Sequence, residues 1–270
     1  MKYADLHIHT SYSDGTYPPE EILAIAKKTG LSCISVTDHD TTEGLSFFES
    51  QNEIEFLPGI ELTADRDNTE VHILGYLIDY KEDWFQEKLQ DIRDGRVSRM
   101  EEMCGKLTEL GLPIALEEVL ALAGRSLSIG RLHLARVMVK KGLVANLTEA
   151  FTMYIGDKCP AYVSRFRLNL RQAIELILQV KGVPVLAHPY ILNNQDLIPL
   201  LVEYGLKGIE AVYPEHSPSQ AKKYQALAEK LGLLVTGGSD FHGEAKPNVK
   251  MGCARIPYEL VEKLKSAKNS

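Results

Sequence analysis

The stretch YADLHIHTSYSDGTYPPEEILAIAKKTGLSCISVTDHD at Tyr3–Asp40 reads as a strand–helix–strand unit with ionisable residues where both strands end. Tyr3–His9 is the first strand. Pro18–Pro19 opens a helix, since proline is tolerated in a first helical turn, and Gly30 stops it. Leu31–Thr37 (LSCISVT) is a second, buried strand. Further strands are expected at Ile54–Leu57, and at Glu61–Thr63 and Val71–Leu77 around a polar Asp-Arg-Asp-Asn turn. From Glu82 to about Tyr154 the pattern turns helical, broken at Gly111–Pro113, Gly124 and Gly142. Strands then return at Val183–Ala187, Gly208–Val212 and Leu233–Thr236, with Cys253–Ile256 before a C-terminal helix from Pro257. Alternating β and α elements on both sides of a helical block imply an α/β fold, a parallel barrel-like sheet carrying an inserted helical domain. The expected division assigns 1–81 and 160–270 to the barrel and 82–159 to the insertion.

The composition leaves room for such a fold and narrows the partners. Hydrophobic residues are 44% and charged residues 25% of the 270, so a real core can form. No run of eighteen apolar residues is present to span a membrane. The first residues, MKYADLHIHT, lack an apolar segment and a cleavage site, so nothing points to export. Cys33, Cys104, Cys159 and Cys253 are scattered and form no CxxC pair, as in a reduced cytoplasmic protein without disulfides. A net charge of −7 argues against binding long DNA. Nine of the eleven arginines nevertheless fall between Arg93 and Arg171. They read either as an anion-binding wall or as solvated helix faces.

The histidines carry the chemistry. His7 and His9 stand two apart at the end of the first strand, so both rings project from one face. Asp14 follows in a Ser-Asp-Gly turn, His39 follows the second strand, and Glu61 follows Pro58-Gly59. His72 lies on the next strand, His188 ends VPVLAHP, and Asp240 and His242 follow the last core strand. A lone HxH is more often structural, but here nearly every ionisable residue sits where a strand runs into its loop. In a parallel barrel those ends form one rim, where barrel enzymes keep their active sites. So many carboxylates and imidazoles cannot share a dry site without cations. A His/Asp/Glu set without thiolates suits Zn²⁺, Mn²⁺ or Fe²⁺. Two histidines stand apart: His216 reads as exposed, and His133 as either a helix-packing residue or a substrate contact.

The ordered motifs DLHIHTSYSDG (Asp5–Gly15), TDHD (Thr37–Asp40), PGIE (Pro58–Glu61), EVHILGY (Glu70–Tyr76), AHP (Ala187–Pro189) and GSDFHG (Gly238–Gly243) resemble the PHP (polymerase and histidinol phosphatase) superfamily. The resemblance spans nearly the whole chain. It implies a distorted (β/α)7 TIM-like barrel that binds two or three divalent ions. Carried over residue by residue, it implies one ion at His7, His9, Glu61 and Asp240. A second would share Glu61 and add His72 and His188, and a third would take Asp14, His39 and His242.

SIGRLHLARVMVKKG at Ser128–Gly142 and the insertion resemble, more loosely, one subgroup. That subgroup holds 3′,5′-nucleoside bisphosphate phosphatases and enzymes that trim short RNA from a 5′-monophosphate end. The implied activity is hydrolysis of a small phosphorylated substrate, nucleotide or short RNA, by water activated at the ions. The insertion would cover the rim, with Arg131 and His133 the first choices for substrate contact and Arg96 and Arg99 the second. The alternatives are a histidinol-phosphate phosphatase, a polymerase-associated proofreading module, and a non-catalytic metal-binding or ligand-sensing domain.

Overall fold

The structure is a computed structural model that describes residues 1–66, 69–164, 168–192 and 197–268. Eight strands form one sheet: β1 (Tyr3–Ile8), β2 (Cys33–Val36), β3 (Glu55–Arg66), β4 (Thr69–Tyr76), β5 (Val183–Leu186), β6 (Gly208–Val212), β7 (Leu234–Gly237) and β8 (Ile256–Pro257). Their order is β7-β6-β5-β4-β3-β2-β1-β8. Around the sheet lie α1 (Pro19–Thr29), α6 (Leu170–Gln179), α7 (Leu197–Glu203), α8 (Pro218–Leu231) and α9 (Tyr258–Lys268). Between β4 and α6 come α2 (Asp83–Glu109), α3 (Leu116–Ala123), α4 (Arg131–Lys140) and the single turn α5 (Leu147–Ala150). Among the described residues no helix is long and apolar enough to cross a membrane.

The sheet curls until its ends nearly meet at the rim. Ile8 bridges Phe241 in parallel, and the His9 N–H donates to the Phe241 carbonyl at 2.9 Å. Asp5 Oδ1 accepts the Ser239 N–H at 2.8 Å. The result is a distorted, nearly closed barrel. It departs from an all-parallel sheet in two places: the short β8 runs against β1, and β4 runs against both β3 and β5. The start of β4 therefore lies at the rim, and His72, near that start, pairs with Thr63, two residues beyond Glu61. The polar turn that joins β3 to β4 includes Asp67 and Asn68, which lie outside the described residues.

Two boundaries differ from the sequence reading. The expected break at Pro58-Gly59 is absent, and β3 runs unbroken for 12 residues. Pro58 is tolerated because it pairs with Val36, the last residue of β2, and its carbonyl still accepts the Leu77 N–H at 2.7 Å. β8 is only two residues long, because Met251–Ala254 is spent on turns. The helix ends fared better: Gly30 closes α1 at φ 74°, a left-handed conformation that glycine adopts without a Cβ clash.

Apolar side chains fall into three clusters. Ile34, Val36, Ile60, Ile73, Ile177 and Ile209 pack the outer face of the sheet against the helices. Leu57, Leu74, Val185 and Ile256 meet Val261 and Leu264 of α9 in a second cluster. Met103, Leu107, Val119, Leu134 and Met138 form a third within the inserted helices. α2 ties the first to the third: Phe85, Leu89 and Ile92 join the barrel core, and Met100 onward joins the other.

Closure at the rim depends on one glycine. A Cβ at Gly238 would stand 2.4 Å from both the Cβ and the backbone N of His7. Gly238→Ala therefore forces β1 and the β7 loop apart. The expected result is a Tm lower by about 2 °C or more, since overpacking of this kind costs about 1–3 kcal/mol. An unchanged melting curve would contradict the closure described.

Candidate metal centre

The pairing of β1 with β2 slips between Asp5 and Ile8, and His7 and His9 end up side by side. Their Nε2 atoms are 3.1 Å apart, and both side chains are fully buried. Glu61, from β3, reaches between them and three further rings. Its Oε2 lies 3.2 Å from His7 Nε2, 3.1 Å from His9 Nε2 and 3.3 Å from His39 Nδ1. Its Oε1 lies 2.8 Å from His72 Nδ1 and 3.1 Å from His188 Nε2. Asp240 Oδ1 sits 3.2 Å from His9 Nε2. Asp14 Oδ1 sits 3.1 Å from His242 Nε2, and Asp14 Oδ2 lies 3.8 Å from His39 Nε2. All nine residues singled out by position in the chain thus converge at the rim.

Among the described residues, three groups of ligand atoms are compact enough to hold a cation: His9, Asp14, His39 and His242; His7, His9 and Asp240; and His39, Glu61 and His72. They overlap the sets implied by the family resemblance. They differ in bringing His9 to the Asp14 group and His39 to the Glu61 group, in separating Glu61 from His7, His9 and Asp240, and in leaving His188 outside all three.

The chemistry of the donors fits divalent ions. His7 Nδ1 is 2.9 Å from Glu210 Oε1, so its proton belongs there and Nε2 is left as a lone pair. That lone pair faces His9 Nε2 and two carboxylates in a buried site, an arrangement that only cations or shared protons relieve. Among the described residues the buried His39 Nδ1 forms no hydrogen bond and has only the Glu61 carboxylate nearby, at 3.3 Å, and no cysteine joins any of the three groups. The field is strongly cation-seeking. Burial opposes charge on Glu61, yet the surrounding imidazoles hold its carboxyl well below the usual range. Burial also opposes charge on His9, but hydrogen bonds to Asp240 and Glu61 push its pKa up to about 9. Asp40, His188 and Asp240 adopt positive φ values of 49°, 27° and 52°. Strain of that kind, of order 1–3 kcal/mol per residue, persists only where surrounding contacts enforce it.

Residues behind the nine were missed from sequence. Glu210 joins two of them, accepting the His188 N–H at 2.8 Å as well as holding His7. A glutamate inside the apolar strand GIEAV was the available signal. Asp240 Oδ2 accepts from Tyr213 OH at 2.8 Å and from Lys246 Nζ at 2.6 Å. Glu70 Oε1 lies 3.1 Å from His72 Nε2.

Above the nine opens a cavity of about 250 Å³, lined also by Arg96, Arg99, Arg131, Tyr190, Tyr213 and Lys246. The three arginines at the cavity are neither a free wall nor solvated faces, whereas Arg171 and Arg125 lie exposed as solvated residues. Arg96 gives Nε to Asp40 at 2.7 Å, Nη1 to the Ile129 carbonyl at 3.0 Å and Nη2 to Thr63 at 2.8 Å. Arg131 pairs with Asp157 at 2.7 Å and Glu70 at 3.4 Å. Arg99 pairs with Glu70 at 2.9 Å, and its buried Nη2 has no partner among the described residues. Arg165 and Arg167 lie outside the described residues.

His133 does not line the cavity. Its Nδ1 accepts the Gly130 N–H at 3.1 Å at the start of α4, and burial pushes its pKa down to about 4. His216 is buried, not exposed: its Nδ1 donates to the Ala211 carbonyl at 3.0 Å, and its ring packs between Tyr213 and Tyr224.

A nearly closed α/β barrel with a cation-seeking cluster at its rim defines a metal-dependent phosphoesterase, and comparison with known proteins gives the same class. Residues 5–116 match the PHP domain. The chain is 30% identical to the 3′,5′-nucleoside bisphosphate phosphatase of Chromobacterium violaceum over 93% of its own length and 91% of the relative's. It is 30% identical to a 5′-3′ exoribonuclease of Escherichia coli, covering 92% and 87% of the two chains. A solved structure from Bifidobacterium adolescentis, assigned as a metal-dependent phosphoesterase, superposes with a TM-score of 0.87 at 29% identity over 97% of this chain and 95% of that one. The chain belongs to the PHP family.

Glu210 offers a direct check on the outer support of the centre. Glu210→Ala should weaken Mn²⁺ binding by about ten- to a hundredfold, the usual effect of removing a carboxylate behind a ligand histidine. Titration calorimetry measures it, and wild-type affinity would show that Glu210 does not set the His7 tautomer.

Proposed function

We propose that this chain hydrolyses phosphate esters of nucleotides in the cytoplasm, either a monoester of 3′,5′-bisphosphate nucleotides or a terminal phosphodiester of 5′-phosphorylated short oligoribonucleotides. The observation that carries the reading is the convergence of nine ligand-type side chains beneath a cavity walled by arginine and lysine. The relatives' named substrates, a nucleoside bisphosphate and RNA, support the nucleotide class.

In this reading His7, His9, Asp14, His39, Glu61, His72, His188, Asp240 and His242 hold two or three Mn²⁺, Fe²⁺ or Zn²⁺ ions. Such ions supply concentrated positive charge that polarises a phosphoryl group and makes nearby water acidic. The chain's own residues do the rest. Glu61 fixes five imidazoles around one point, so ligand geometry is set before substrate arrives. Residues 82–159 act as the covering domain, and their helices set the cavity's depth. Of their four substrate-binding candidates, Arg99 is best placed, because its Nη2 is a buried donor that finds no partner among the described residues. Arg131 shares its charge between Asp157 and Glu70 and contributes less. Arg96 serves as a brace between Asp40 and Thr63, and His133 as a helix cap.

A panel of esters offered to Mn²⁺-loaded protein tests the proposal through released phosphate or shortened RNA. Turnover is expected with 3′,5′-bisphosphate nucleotides or 5′-phosphorylated oligoribonucleotides, and turnover of histidinol phosphate alone would refute it. His9→Ala should lower kcat by orders of magnitude while the circular dichroism spectrum stays native, since losing a ligand disturbs geometry more than packing.

A further inference from the structure

The cations around the cavity differ in how far the protein has already used them. Every guanidinium nitrogen of Arg96 is engaged, and Arg131 is matched by Asp157 and Glu70. These arginines stand on the Asp40 and Glu70 side of the ligand cluster. Lys246 stands on the Asp240 side, just past the short turn Gly243–Ala245 that follows His242. Its Nζ lies 2.6 Å from Asp240 Oδ2, the one hydrogen bond of the ammonium found among the described residues. A third of its side chain remains exposed, and it lines the cavity.

An ammonium has three donors, so two are left beside the cluster. The partner it does have is itself committed, since Asp240 Oδ1 faces His7 and His9 at 3.4 and 3.2 Å and Oδ2 already accepts from Tyr213. Once the charge of Asp240 is shared with a divalent ion, its hold on Lys246 weakens. The neighbouring anion that can then take the free donors is the substrate. From this placement, and resting on the phosphoesterase reading above, we infer that Lys246 contacts substrate, binding an oxygen of the scissile phosphate from the side opposite the arginines. A lysine suits that position because its charge is compact and its stem flexible, so it can follow the phosphoryl group without matching a forked geometry. The alternative role is to hold Asp240 in place, in which case Lys246 would act on the ions and not on the phosphate.

Lys246→Met and Lys246→Arg, each loaded with Mn²⁺, separate the two roles when bound Mn²⁺ and the Kd for inorganic phosphate are measured together. The expected result is wild-type Mn²⁺ content in both. The Kd for phosphate should rise about ten- to a hundredfold in Lys246→Met, the size of one charge-assisted hydrogen bond, and be partly restored in Lys246→Arg. Unchanged phosphate affinity in Lys246→Met would overturn the inference. So would a loss of affinity that merely tracks a lost equivalent of Mn²⁺, which would make Lys246 a support for Asp240. Wild-type protein that binds Mn²⁺ but neither phosphate nor any ester would instead refute the phosphoesterase reading beneath it.

Discussion

The Glu61 carboxylate is buried among five imidazole rings, with nitrogens 2.8 to 3.3 Å from its two oxygens. Asp14 and Asp240 stand beside the same rings. A carboxylate so deprived of water would be protonated unless positive charge surrounded it. Much of the surrounding structure answers to that constraint. β4 is turned antiparallel, which brings His72 to the rim beside Glu61. The barrel is drawn shut at Gly238 so that His7 and Asp240 share a wall. His188 and Asp240 are held in left-handed backbone conformations that few side chains adopt.

This concentration of charge and strain works against stability and in favour of binding. Five buried imidazoles and three buried carboxylates in a hydrophobic shell would be replaced by leucine in a domain selected for stability alone. The fold offsets the cost with three apolar clusters and with carboxylates behind the ligands, Glu210 for His7 and Glu70 for His72. Ions that bind the folded chain and not the unfolded one return part of the stability by linkage. Glu70 adds a connection of its own, since it holds a ring of the centre while pairing with Arg99 and Arg131 from the inserted helices.

The ligand-type residues were legible because their position in the chain, at strand ends, is a one-dimensional signal that barrel topology turns into proximity. The limits of α1 were legible from a different signal, since Pro19 and Gly30 mark its two ends. What a sequence shows less well is who partners whom. The arginines between Arg93 and Arg171 looked like spare positive charge, yet Arg96 and Arg131 find Asp40 and Asp157, carboxylates 56 and 26 residues away. His216 looked exposed because nothing local reveals the tyrosines that cover it. The Pro58-Gly59 pair looked like a break because proline removes a donor, and only the end of β2 beside it shows that the donor is not needed. Glu210 is marked only by a charge inside an apolar strand, and Lys246 only by its place just past GSDFHG, so neither shows its partner in the sequence.

Crystals grown with Mn²⁺, with data collected at the manganese absorption edge, test the central claim most directly. The account predicts two or three anomalous peaks within the nine-residue cluster, one of them in contact with Glu61. A single peak elsewhere on the molecule, or none, would show that the convergence of these side chains does not make a metal centre.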